Sequence, residues 1–76
     1  MELSFGEKLK LLREEHELNQ TELGKLLNMT QRKISYLERG QYEPGLQDIK
    51  AICTYFRVSA DYMLDFPKPL PYPKHK

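Results

Sequence analysis

The 76-residue sequence predicts an all-α domain made of five short helices. Three observations lead there. No stretch alternates apolar and polar residues as a half-buried strand does, whereas leucines and isoleucines recur at spacings of three and four. Ser4, Asn19 and Thr30 each stand just ahead of such a run, and the first two precede a glutamate by three residues. Asn28, Gly40 and Pro44-Gly45 fall where runs stop.

The first helix opens on Ser4-Phe5-Gly6-Glu7, a capping box in which hydroxyl and carboxylate each satisfy the other's backbone N–H. Phe5, Leu9 and Leu12 form its apolar stripe, Leu11 falls off it, and His16 sits near the last turn. The second helix starts at Asn19, with Glu22 completing a second box and Leu23, Leu26 and Leu27 as its buried face. Gly24 inside it costs about 1 kcal/mol against alanine, so another backbone is expected to pass close by. Asn28 ends the helix because asparagine tolerates the left-handed conformation.

Met29 plugs the turn, Thr30 caps, and Gln31 to Arg39 form the third helix, with Ile34 and Leu37 inward. Gly40 closes it. After Pro44-Gly45, the residues Leu46, Ile49, Ile52, Cys53 and Phe56 mark the stripe of a fourth helix. Val58 plugs the next turn, and Ser59 caps a short fifth helix, roughly 60–65, which buries Met63 or Leu64. Residues 1–66 are expected to form the domain. Residues 67–76, with proline at every second position as far as Pro73, are expected to be an extended tail.

Composition narrows the function. A domain of this size buries only about 60% of the surface of its unfolded chain, so its core must be well patterned. A lone cysteine, Cys53, excludes an internal disulfide and a cysteine-built zinc site; it fits a reducing cytoplasm. No apolar run is long enough for a signal peptide or membrane span. There is no glycine-rich phosphate loop, no His-Glu-x-x-His and no paired ligand cysteines. Neither catalysis, a metal nor a cofactor is expected. Net charge is only +1, but residues 20–40 carry Lys25, Arg32, Lys33 and Arg39 against Glu22 and Glu38, so the middle of the domain is basic.

The segment from Leu18 to Gly40, LNQTELGKLLNMTQRKISYLERG, closely resembles the helix-turn-helix of the phage-repressor and Cro-like family, also called lambda-repressor-like or XRE-type. Pro44, the helix from Leu46 to Phe56 and Val58-Ser59 also fit that family's pattern, so the likeness covers about residues 4–65. It implies a five-helix domain whose second and third helices form the helix-turn-helix. The third would enter the major groove of double-stranded DNA and the second would lie across the backbone.

Residue by residue, the resemblance implies that Gln31, Arg32, Ser35 and Tyr36 read bases, glutamine suiting adenine and arginine guanine. Asn19, Gln20, Lys33, Arg39 and Tyr42 would meet phosphates, Gln20 aided by a helix N-terminus. Arg13 and Glu38 match a buried ion pair between the first and third helices. Two departures stand out. The loop Gln41-Tyr42-Glu43 lacks the family's frequent basic residues, which predicts a shallow salt dependence. Glu17 and Arg57 occupy positions where the family usually has glycine, so either the turns differ or each residue bears strain of order 1 kcal/mol.

The function so implied is a transcriptional regulator, a repressor in the first instance, working as a homodimer on an inverted repeat in a bacterial or phage-derived cytoplasmic setting. Leu11, Tyr55, Tyr62 and Phe66 offer apolar surface for pairing or, equally, belong to the domain's own core. The alternative is an antitoxin-like module that uses the same domain to bind a protein partner.

Overall fold

The computed structural model describes residues 3–64, and the predicted Pro-rich tail and Phe66 lie outside them. The five predicted helices form in order: α1 Phe5–Glu15, α2 Gln20–Leu27, α3 Gln31–Glu38, α4 Leu46–Phe56 and α5 Ala60–Leu64. There is no strand among the described residues. Local chemistry starts each helix. The Ser4 hydroxyl accepts from the Glu7 N–H at 3.2 Å while the Glu7 carboxylate accepts from the Ser4 N–H at 2.8 Å. Asn19 and Glu22 repeat the arrangement at 2.7 and 2.8 Å. Thr30 caps α3 through the Lys33 N–H, and Ser59 caps α5 through the Tyr62 N–H. At α4, Gly45 has no side chain to offer, so Asp48 supplies the cap by accepting the Gly45 N–H at 2.9 Å.

The turn between α2 and α3 fixes the angle of the pair. Asn28 takes up φ 60°, and the Met29 N–H returns to the Gly24 carbonyl at 2.7 Å. A Cβ on Gly24 would lie 2.6 Å from the Met29 carbonyl oxygen, which is the close backbone approach the sequence predicted. Leu9, Leu23, Leu27, Ile34, Leu37, Ile52, Phe56 and Met63 make the core, drawn from all five helices. Met63, not Leu64, is the buried residue of α5.

Two expected core residues are outside. Leu26 is 50% exposed and Leu46 73%. α2 spans only eight residues, and Leu23 and Leu27, one turn apart, already face the core; Leu26 falls to the side. Leu46 is the first residue of α4, ahead of the stretch that Ile52 and Phe56 bury. α3 ends one residue earlier than predicted, with Arg39 as its C-cap.

Glu17 and Arg57 adopt φ 58° and 59°, so the family's glycine turns are kept and the non-glycine residues bear the strain. In each turn the next amide closes the helix end, Leu18 N–H on the Arg13 carbonyl and Val58 N–H on the Cys53 carbonyl, both at 3.1 Å. Arg57→Gly is expected to raise stability by about 1 kcal/mol by relieving the Cβ clash. That is about 4–8 °C in a thermal melt of a domain this size; an unchanged or lower midpoint would refute the strain.

Candidate nucleic-acid interface

Two helix starts are held side by side by a chain of hydrogen bonds that begins in the interior. Arg13 of α1 grips Glu38 of α3 with two donors, Nε to Oε2 at 2.6 Å and Nη2 to Oε1 at 3.1 Å. Its third donor, Nη1, reaches the Leu18 carbonyl at 2.9 Å. The Glu38 side chain is only 3% exposed. Hydrogen bonding to Glu38 raises the Arg13 pKa, outweighing the opposing cost of burial. Glu38 Oε1 also accepts from Gln20 Nε2 at 3.0 Å, and Gln20 Oε1 accepts from Gln31 Nε2 at 2.6 Å. The first residue of α2 and the first of α3 are thereby joined, and both are tied to a buried charge.

On the outer face of α3, Gln31, Arg32 and Tyr36 are exposed and Ser35 is half-buried. Arg39 lies beside Tyr36, its guanidinium carbon 5.4 Å from the ring centre. Asn19 spends its side chain on the α2 cap.

Lys33 faces elsewhere. Its Nζ is 2.8 Å from Asp48 Oδ1 and 5.4 Å from the Tyr42 ring centre. Burial opposes ionisation of Asp48, but the Lys33 ammonium and the Gly45 N–H outweigh it and hold the carboxyl below its ordinary pKa. The ammonium of Lys33 is raised in turn by its hydrogen bond to Asp48, against a smaller cost of burial. Thr30, Arg32, Lys33, Tyr36 and Tyr42 line a shallow cleft of about 240 Å³ on this side of α3.

A sequence model of the helix-turn-helix domain family matches residues 4–64. The chain belongs to that family. This helix-turn-helix chain also resembles solved structures of regulators. The P22 c2 repressor, in complex with a synthetic operator, matches with TM-score 0.77 and 28% identity over 83% of this chain and 96% of that one. The restriction-modification controller protein C.AhdI from Aeromonas hydrophila matches with TM-score 0.71 and 27% identity over 79% of this chain and 91% of that one. Hydroxypropylphosphonic acid epoxidase from S. wedmorenis also matches, with TM-score 0.70 and 26% identity, over 79% of this chain but 32% of the enzyme. No curated protein sequence matches. The lambda-repressor-like fold predicted from the sequence is therefore the fold observed.

Of the residues singled out in sequence, Gln20, Gln31, Arg13 and Glu38 are brought into one network. Arg32 and Tyr36 share the cleft with Tyr42. Three contributors were missed. Gly6 lets α1 lie against the carbonyls of Leu37 and Glu38. Lys8, buried, donates to the Tyr62 carbonyl and lies 4.7 Å from its ring centre, pinning α5 to α1. Asp48 pairs with Lys33 from 15 residues away. Only Gly6 carried a local signal, a glycine in a helical first turn, of the kind that was read at Gly24.

Proposed function

We propose that this helix-turn-helix domain is a sequence-specific double-stranded-DNA-binding regulator, a repressor acting as a homodimer on an inverted repeat. The observation that carries the reading is the Gln20–Gln31 bond, which sets the start of α2 beside the start of α3 and leaves Gln31, Arg32 and Tyr36 facing out together. α3 reads the major groove with these residues and Ser35, Gln31 suiting adenine and Arg32 guanine. Asn19 and Gln20, at the start of α2 where a helix N-terminus favours anions, meet flanking phosphates together with Arg39 and Tyr42. The likeness to a repressor solved on its operator supports the assignment.

Leu11, Tyr55 and Tyr62 are exposed and are our candidates for the surface between protomers. The domain works by binding, without catalysis, metal or cofactor, in the cytoplasm beside the DNA it regulates. No helix among the described residues is long and apolar enough to cross a membrane. A second reading, an antitoxin-like module that binds a protein, is favoured by one observation. Asp48 neutralises Lys33 and the following loop, Gln41-Tyr42-Glu43, adds no cation, so few charges are left for phosphate.

Selection from random duplex DNA at physiological salt tests the proposal. An enriched inverted repeat is expected. Gln31→Ala or Arg32→Ala should each weaken binding to the selected site by about 1–3 kcal/mol and relax preference at one base pair per half-site. No enrichment with the parent chain would sink the DNA-reading function and favour the protein partner.

A further inference from the structure

Lys33 lies in the first turn of α3, where a lysine on a DNA-facing helix is expected to meet phosphate. The structure gives it other work. Its ammonium is bonded to Asp48, whose buried carboxylate uses its second oxygen to cap α4 through Gly45. Pulling Lys33 away would leave that carboxylate without its countercharge, with only the Gly45 N–H on it, which is costly. An approaching phosphate would also meet the Asp48 anion behind the ammonium. The pair is close to neutral from outside, and a neutral pair releases few counterions.

The same ammonium lies within cation–π range of Tyr42. Tyr42 is in the loop after α3, which Gly40 turns with φ 74° and the Gln41 N–H fastens to the Tyr36 carbonyl at 2.9 Å. The exposed ring of Tyr42 thus lines the same cleft as Tyr36 and Arg32. One lysine fastens both the start of α4 and this aromatic ring to α3.

We propose that Lys33 and Asp48 are positioning residues of the DNA interface: their ion pair holds Tyr42 beside α3, and Tyr42, not Lys33, touches the duplex. The inference rests on the DNA-binding reading above. It explains how a loop without basic residues takes part in recognition. Tyr42 offers a hydroxyl donor and a flat apolar face, and neither adds to the salt dependence.

The test uses the full chain and the duplex it selects. Tyr42→Ala and Lys33→Met should each weaken binding about tenfold, and together still about tenfold rather than a hundredfold, because both remove the same contact. The slope of log affinity against log salt should not change in Lys33→Met, and Lys33→Arg should restore affinity. Asp48→Asn keeps an acceptor for Gly45 but loses the charge. In the Asp48→Asn background, Tyr42→Ala should cost less than about twofold, which gives a reading even where Lys33→Met fails to fold. A slope reduced by about 0.9 in Lys33→Met would make Lys33 a direct phosphate ligand and overturn the proposal. Losses that multiply in the double variant, on a duplex that the parent chain binds specifically, would make the two side chains act independently and overturn the positioning role alone. A parent chain that prefers no sequence overturns both readings.

Discussion

Glu38→Ala is expected to remove most of the domain's stability. The substitution leaves Arg13 charged, largely buried and without its carboxylate, and breaking such a pair on one side costs about 3–5 kcal/mol. A domain of this length has roughly 4–11 kcal/mol in all, so the variant should be partly unfolded at 37 °C. Replacing both partners separates charge from shape. Arg13→Met with Glu38→Leu removes the desolvation cost along with the attraction, and apolar replacements of this kind are often neutral or stabilising. Denaturant unfolding of the single and double variants decides the matter. A single variant within about 1 kcal/mol of the parent would mean that water reaches Arg13 and the pair is a surface one. The double variant carries a second expectation: it folds, yet binds DNA weakly, because Gln20 loses the acceptor that fixes it.

Gly6→Ala should be the next most damaging change, against the usual rule. Alanine inside a helix is ordinarily better than glycine by about 1 kcal/mol. Here the added carbon would lie 2.5 Å from the Leu37 carbonyl oxygen and closer still to that of Glu38. Both obstacles are backbone at the end of α3, and neither can rotate aside as a side chain would. α1 must lift from α3, at a cost toward the upper end of the 1–3 kcal/mol typical of overpacking, about 3 kcal/mol. Lifting α1 also lengthens Arg13–Glu38. Gly45→Ala is the control. The nearest atom to a Cβ there is Asp48 Oδ2 at 3.6 Å, an ordinary contact, so the change should cost only the poorer N-cap preference of alanine, no more than about 1 kcal/mol. Equal melting of Gly6→Ala and the parent would show that α1 and α3 are not in rigid contact.

The helix boundaries were legible because their causes are local. A glutamate three residues after Ser4 or Asn19 needs no tertiary partner to act as a cap. Gly24 was legible for a similar reason, since a glycine within a helix has few explanations. Leu26 and Leu46 were misread because periodicity says which residues share a face, but not how wide the face is. On the eight-residue α2 the buried strip was narrower than the leucines suggested, and on α4 it begins only after Leu46, the first residue of the helix. Lys8 and Asp48 were invisible. Lys8 meets Tyr62 across 54 residues, and Asp48 looks like any first-turn acid until Lys33 arrives. The Arg13–Glu38 pair was reached only through family resemblance; nothing in the spacing of an arginine and a glutamate 25 residues apart marks them as partners.

A carboxylate has no proton to give. Glu38 therefore obliges Gln20 to turn its amide nitrogen inward, and the Gln20 oxygen is left facing Gln31. Gln31 must answer with its own nitrogen. Hydrogen-bond direction is dictated outward from a hidden charge, through two neutral side chains, to the surface. A glutamine alone is ambiguous, because it presents its donor and acceptor equally well either way round. This one is handed: it meets solvent with one N–H and its oxygen in a fixed order. Reversing that order would require Gln20 to reverse too, and Glu38 forbids it.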